Sequence, residues 1–236
     1  MTMILGIYGE SKSGKTTLIM KLISQLKEKG YRVGSVKNIH IPDFTIDSKE
    51  KDTWKHTKAQ SEVVVARSKN EVAFLVNRNM APEDVVSIVD NIAKLDIIIV
   101  EGYWDDDSPK IAVGDIEEKP NTVLRYKDNF DEIHGYAIEG IEVEKVKKTL
   151  PGLDCGKCGL ETCRELALSI RLDKNSFRDC YYFSEKKVSL EIDGKKIPMG
   201  KFAKEIVAGT IDGMVSSLKG VEGGKDIKLE IIYGND

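Results

Sequence analysis

The stretch "MILGIYGESKSGKTTLIMKLISQL", residues 3–26, decides the fold. It opens with an apolar run from Met3 to Tyr8 and passes through "GESKSGKTT" (Gly9–Thr17). Leu18, Ile19, Leu22, Ile23 and Leu26 then follow at helical spacing. Gly9, Gly14, Lys15 and Thr16 satisfy G-x-x-x-x-G-K-[ST], and strand, loop and helix in that order are the context that gives the motif its meaning. Glycine lets such a loop wrap closely, so backbone N–H groups from Lys12, Ser13, Gly14, Lys15, Thr16 and Thr17 are expected to converge on a phosphate. The helix that follows adds its positive N-terminal end. Lys15 is expected to bridge the β- and γ-phosphates of a nucleotide, and the Thr16 hydroxyl to ligate Mg2+.

A phosphate loop needs an acid at the end of a neighbouring buried strand, to hold Mg2+ directly or through water. Glu101, after the apolar run "IIIV" and before Gly102, has that position. Asp96 precedes the same run and is expected in a turn at the opposite end of the strand.

Outward from this core the chain alternates strand-like and helix-like segments. "YRVGSVK" (31–37) reads as a strand, residues 38–53 as a long loop and "TWKHTKAQ" (53–60) as a short helix. "EVVVARS" and "EVAFLVN" read as a hairpin around Lys69-Asn70, and residues 82–94 as a helix opened by Pro82. "KIAVG", "TVLRY" and "HGYAI" read as further strands. The alternation predicts an α/β fold of the P-loop NTPase type, a mostly parallel sheet with helices on both faces. Ligands then collect at the carboxyl ends of the strands. The charged stretch "EVEKVKKTLPG" (142–152) is expected to be a domain boundary. The tail predicts a hairpin turning at Asp193-Gly194, a helix over about 201–218 and a strand over 227–233. Three parts result: a nucleotide-binding domain (1–145), a four-cysteine domain (149–184) and a small α+β extension (185–236).

Composition narrows the function classes. The 236 residues carry 32% charged side chains, yet the net charge is only −3, which argues against nucleic acid as the main partner. No apolar run is long enough for a transmembrane helix and the N-terminus does not read as a signal peptide, so a cytoplasmic location is expected. A small-molecule kinase needs late arginines to neutralise the transferring phosphoryl group, and Arg125 alone lies between Arg78 and Arg164. The N-K-x-D tetrad that reads guanine in many GTPases is missing, so residue physics does not select the base.

The blocks "GESKSGKTTLIMKLISQLKEKGYRVGSVKNIH", "DFTIDSKEKDTWKHTKA", "LDIIIVEGYW" and "PKIAV", in this order over residues 1–115, resemble the MobB family. Members are adaptors of molybdopterin-guanine dinucleotide biosynthesis. The resemblance implies GTP binding with weak GTPase activity and a homodimer. It also implies two kinds of partner, the nucleotidyltransferase that joins GMP to molybdopterin and the molybdo- or tungsto-enzyme apoproteins that receive the cofactor. Within it, Lys37 and His40 match a Lys-x-x-His element, Asp47 the acid closing the next loop, and Asp52, Thr53 and Ala59 a D-[ST]…A block. Glu101-Gly102 match V-E-G and Lys110 the lysine of P-K-I. Asn38 and Ile41 depart from the family, which commonly has further histidines in the first block.

All four cysteines lie in one stretch, as Cys155-x2-Cys158-x4-Cys163-x16-Cys180. Three close thiolates on a glycine-rich loop plus a remote fourth suit a [4Fe–4S] cluster, one cysteine to each iron. Four-cysteine Zn2+ and two disulfides are the competing readings; zinc sites typically pair two C-x2–4-C knuckles. The context "LPGLDCGKCGLETC…ALSI…C" also resembles the small iron–sulfur domain of electron-transport subunits and corrinoid-related proteins, with Tyr181 where that domain commonly has proline. The leading expectation is a GTP-binding cofactor-assembly adaptor that carries an Fe–S cluster. The alternative is a redox or metal-maturation protein in which nucleotide gates the cluster.

Overall fold

Ile97, Ile98 and Ile99 are fully buried, as a strand of consecutive branched apolar residues must be when helices cover both faces of its sheet. The structure is a computed structural model that describes residues 2–183, 188–218 and 227–229. Residues 1–175 form one compact unit and residues 176–236 a second.

The first unit is built on five strands: β1 (Met3–Gly9), β2 (Val33–Lys37), β5 (Ile97–Glu101), β6 (Lys110–Val113) and β7 (Thr122–Tyr126). They lie in the order β2-β5-β1-β6-β7, and every neighbouring pair is parallel. A separate antiparallel hairpin, β3 (Val63–Arg67) and β4 (Val72–Val76), matches the expected one. α1 (Lys15–Glu28) and α4 (Phe130–Thr149) cover one face, where Leu18, Leu22 and Leu26 meet Ile133, Ala137, Ile141, Leu5 and Ile7. On the other face α3 (Pro82–Ala93) sets Val86 and Val89 against Leu95, Ile98 and Val100. Burial of each such Leu or Ile stabilises the fold by about 1.5–3 kcal/mol. α2 (Asp52–Lys58) lies on the loop after β2.

One local expectation fails: "HGYAI" is part of α4 rather than a strand, and α4 continues through most of the charged stretch 142–152, ending at Thr149. The period explains it: Phe130, Ile133, Ala137, Gly140, Ile141 and Glu144 recur at helical spacing and are buried, a pattern invisible in a five-residue window. Gly140 lets Met3 pack close against the helix: a Cβ there would lie 2.4 Å from Cε of Met3, whose side chain would have to move. α5 (Cys163–Arg171) then packs on α4, tied by Arg164–Glu144 and Arg171–Glu139 ion pairs, each at 3.3 Å.

The second unit contains a 3-10 turn (Phe177–Asp179), the hairpin β8 (Leu190–Ile192) and β9 (Lys195–Ile197), and α6 (Lys201–Ser216). The hairpin turns at Asp193-Gly194, both with positive φ, as expected from the sequence. Within this unit the Tyr181 hydroxyl donates to Asp212 Oδ2 at 2.7 Å. The strand expected over 227–233 falls mostly outside the described residues; those described, 227–229, have no regular structure.

Candidate functional site

The carboxyl edge of the parallel sheet carries the site. β1 ends at Gly9 between β5 and β6, and the register sets Ile7 beside Glu101, Gly9 beside Val113 and Lys37 beside Glu101. Residues 10–14 form the loop, with Lys12 at φ 62° and Gly14 at φ 93°, and α1 starts at Lys15 with no side-chain cap from Gly14. Its first turn carries no acid, which leaves the positive helix end facing the loop. Gly9 is set by space as well: a Cβ would lie 2.3 Å from the Val113 carbonyl oxygen and 3.0 Å from Ser13 Oγ. The Lys15 ammonium folds over the loop, donating to Gly9 O at 2.9 Å, to Glu10 O, and to Ser13 Oγ at 3.4 Å.

Three residues named from the sequence meet at one oxygen. Glu101 Oε1 accepts from the Thr16 hydroxyl at 3.1 Å and pairs with Lys37 Nζ at 3.3 Å. Lys37 is solvent-exposed, so this pair contributes at most about 1 kcal/mol. An anion-attracting helix start, a lysine, a hydroxyl and a carboxylate on one edge form the donor set that Mg2+ and a polyphosphate need, and this set fits them. Asp96 lies at the far end of β5, where its Oδ2 accepts from the Arg32 backbone N–H at 2.7 Å.

The other matched positions stand apart from this cluster. Asp47 Oδ1 accepts from Thr53 Oγ1 and from the Ser48 N–H, both at 2.9 Å, while its Oδ2 is buried without a hydrogen-bond partner among the described residues. Asp52 starts α2 and pairs with Lys55 at 3.1 Å. His40 is exposed on the loop after β2.

Four further residues shape the edge. The Asn38 backbone N–H donates to Glu101 O at 2.8 Å and its side chain to Tyr103 O at 3.0 Å, strapping the turn after β5 to the end of β2. Only the departure from the family's histidine pattern marked it in the sequence. Gly102, at φ 108°, packs against Asn38, whose Cβ would lie 3.1 Å from an added one. Lys110 is buried, its ammonium donating to Asp106 O at 2.6 Å, Asp106 Oδ1 at 2.7 Å and Ser108 O at 2.8 Å. The Arg125 guanidinium reaches Gly114 O at 2.6 Å, Ile116 O at 2.9 Å and Glu118 Oε1 at 3.0 Å.

The cysteine loop precedes α5. Cys155 is exposed, Cys158 half-buried and Cys163 buried, and all four cysteines, Cys180 of the second unit included, are free thiols. Gly156 (φ 69°) and Gly159 (φ 84°) turn the loop, and a Cβ on either would meet open space. Among the described residues no three His, Cys, Asp or Glu side chains are already drawn together as a metal site. Four unpaired thiols with open space beside the loop nonetheless fit the donor chemistry of an iron–sulfur cluster.

A family model for molybdopterin guanine dinucleotide synthesis protein B (MobB) matches residues 4–134, more than half of the chain. The chain belongs to the MobB family. A second model, "Putative Fe-S cluster", matches residues 150–182 of this MobB-family chain and so encloses all four cysteines. The chain is 28% identical over 235 residues, 97% of each chain, to a "Putative molybdopterin-guanine dinucleotide biosynthesis adapter protein" of Methanocaldococcus jannaschii. It is 31% identical over 117 residues to the molybdopterin-guanine dinucleotide biosynthesis adapter protein of Escherichia coli, covering 48% of this chain and 66% of that one. A crystal structure of Bacillus subtilis MobB aligns with a TM-score of 0.47 at 16% identity, over 58% of this chain and 96% of that one. No helix among the described residues is long and apolar enough to cross a membrane.

Proposed function

We propose that this MobB-family chain is a GTP-binding adaptor in the biosynthesis of a molybdenum or tungsten pterin guanine dinucleotide cofactor, with slow GTPase activity and an Fe–S cluster. The observation that carries the nucleotide part is the meeting of Thr16 and Lys37 on Glu101 beside the phosphate loop. Gly9, Lys12, Ser13, Gly14 and Thr17 supply the cradle, and Lys15 neutralises phosphate charge. Thr16 and Glu101 would hold Mg2+, directly or through water, and the ion would neutralise charge on the β- and γ-phosphates. Hydrolysis is slow in this reading because no arginine is directed at the phosphate loop, the Arg125 guanidinium being turned to Gly114, Ile116 and Glu118. The same engagement disfavours a kinase.

The proposed partners are the molybdopterin nucleotidyltransferase and the apoproteins of molybdo- or tungsto-enzymes, met in the cytoplasm by a homodimer. Asp47, Asp52 and His40 lie outside the phosphate cluster and are assigned to base or partner contacts. Cys155, Cys158, Cys163 and Cys180 are the proposed cluster ligands, a [4Fe–4S] cluster supplying one-electron chemistry when bound. The parts 1–145, 149–184 and 185–236 are the proposed functional divisions.

The test is GTP against ATP affinity on anaerobically reconstituted protein, with and without Lys15→Ala, joined to capture of the purified nucleotidyltransferase. GTP preference lost in the variant, with capture by wild type, is expected. Unchanged affinity in Lys15→Ala refutes the phosphate-loop assignment. The packing of α5 against α4 favours a second reading, a nucleotide-gated redox or metal-maturation protein. It predicts no capture and a cluster potential that shifts with nucleotide.

A further inference from the structure

The backbone around the first three cysteines is closed by an acid. Asp154, immediately before Cys155, accepts the backbone N–H of Cys163 on Oδ1 at 2.6 Å. An aspartate usually caps an amide two or three residues on. Here the partner is nine residues away, and the bond spans a segment holding Cys155, Cys158 and Cys163. Cys163 is also the first residue of α5, whose orphan N–H groups and positive end favour a carboxylate.

That helix start already has an ordinary side-chain cap. Thr162 Oγ1 accepts from the Glu165 N–H at 3.1 Å, and Glu165 Oε2 accepts from the Glu161 N–H at 2.9 Å. Asp154 is therefore not needed as the ordinary N-cap, a role that Thr162 fills. Its own backbone is left-handed, at φ 43°, a conformation that aspartate tolerates better than most residues. Gly156 and Gly159, also left-handed, turn the chain inside the loop, with Gly159 N–H bonded to Gly156 O at 2.9 Å. α5 itself is bolted to α4 by Arg164–Glu144. The clasp thus ties the cysteine loop to a fixed helix.

We propose that Asp154 is the positioning residue of the iron–sulfur site: its carboxylate clasps the Cys163 amide and holds the loop of Cys155, Cys158 and Cys163 shut ahead of cluster assembly. This rests on the Fe–S reading above. Pre-ordering shortens the search that three thiols on a glycine-rich loop would otherwise make, because the loop-closure entropy is met by the protein fold rather than by the cluster. The third thiol keeps its place on the rigid helix while the two on the knuckle move to meet it.

The test uses the full chain with Asp154→Gly, which accepts the left-handed backbone without strain and removes the carboxylate while adding main-chain freedom, a change that Asp154→Asn does not make. Asp154→Asn keeps a neutral acceptor. Three quantities are read: hydrogen exchange of the Cys163 amide in metal-free protein, iron and acid-labile sulfide per chain after anaerobic reconstitution, and GTP affinity as a control for the fold of the first unit. Exchange of the Cys163 amide is expected to speed up about tenfold or more in Asp154→Gly, as loss of a charge-assisted hydrogen bond implies. Iron loading should drop below half of wild type with GTP affinity unchanged, and Asp154→Asn should restore part of both. Faster exchange with full iron loading would reduce Asp154 to a helix cap and overturn the proposal. So would unchanged exchange and loading in Asp154→Gly beside a normally loaded wild type. A wild-type chain that takes up no iron or sulfide overturns the Fe–S reading itself, and is told apart by that control.

Discussion

Lys110→Met is the substitution that tests the site edge most severely. The Lys110 side chain is 2% exposed and its partner Asp106 15% exposed, with 2.7 Å between ammonium and carboxylate. Methionine nearly conserves the volume, so the cost is electrostatic rather than a cavity. Asp106 O keeps a donor in Asn121 at 3.0 Å, and Asp106 Oδ1 keeps Ser108 Oγ at 2.7 Å. What remains is a mostly buried carboxylate without its counter-charge and a Ser108 carbonyl without its donor. Breaking a buried pair from one side costs about 3–5 kcal/mol, and partial hydration of Asp106 puts this case near the lower end, about 3 kcal/mol. At about 2–4 °C per kcal/mol for a chain of this size, the melting transition of the first unit falls by about 6–12 °C. Calorimetry on Lys110→Met, Asp106→Asn and the double variant measures it. The double variant should recover more than half of the loss, because it leaves no unpaired charge. The loop from Gly102 to Pro109 starts beside Glu101, so GTP affinity in Mg2+ should fall in the single variant and recover in the double. A Lys110→Met melt within about 2 °C of wild type, or a double variant no better than the single, would refute the account of this loop.

Three further outcomes follow from the same geometry. Gly9→Ala places a Cβ 2.3 Å from the Val113 carbonyl, so β1 and β6 must part; titration should show GTP binding lost or weakened at least about tenfold. Glu101→Gln removes charge but not shape, so the gain in GTP affinity on adding Mg2+ should shrink toward zero while the melt moves by under about 1 kcal/mol. Glu142 is held below the ordinary glutamate pKa, first by its hydrogen bond from Lys145 at 2.8 Å and then by the Tyr31 hydroxyl at 3.0 Å. Since the folded pKa is the lower one, the stabilisation is present above the unfolded value and disappears as pH falls through the folded value. Glu142→Gln should therefore cost about 0.5 kcal/mol in urea unfolding at pH 7 and progressively less as the pH is lowered through the acid range; a loss that does not shrink with pH would show that shape, not charge, matters there.

The phosphate loop, Glu101 and the sheet were legible because each is a local pattern: a motif in register with a strand and a helix, and an unbroken apolar run. Asn38, Asp106 and the engagement of Arg125 were not, because their meaning lies in partners that no motif marks: the Tyr103 carbonyl for Asn38, the buried Lys110 ammonium for Asp106, and the Gly114 carbonyl for Arg125. Arg125 shows the difference. Counting arginines singles out Arg125 in the sequence, but only the structure shows the three acceptors around its guanidinium. α4 was misread for a different reason. Its polar half, with Glu139, Glu142, Lys145 and Lys148, has the look of a solvated linker, while its buried half is spread one residue at a time over five turns.

That misreading bears on function, because α4 is the element on which the helix of the phosphate loop and the helix of the cysteine loop both pack. Its N-terminal Phe130 lies under the Lys21 ammonium of α1, 3.9 Å from the ring centroid, and α1 begins at the phosphate-loop lysine. Its C-terminal half receives α5 through Glu139 and Glu144, and α5 begins at Cys163. Glu144 is buried, with Oε2 unpartnered among the described residues, so a small shift of α5 is not energetically neutral at that contact. Two packed helix contacts therefore separate the phosphate loop from the third cysteine, and close-packed contacts respond by stepping between arrangements rather than by gradual deformation. Any coupling carried this way is reciprocal: the factor by which nucleotide changes cluster affinity is the factor by which the cluster changes nucleotide affinity. GTP affinity of iron-loaded against metal-free chain measures that factor directly. An adaptor whose cluster only braces α5 gives a ratio near one, whereas a tenfold ratio, about 1.4 kcal/mol, would couple nucleotide binding to cluster occupancy, and Glu144→Gln should then bring the ratio back toward one.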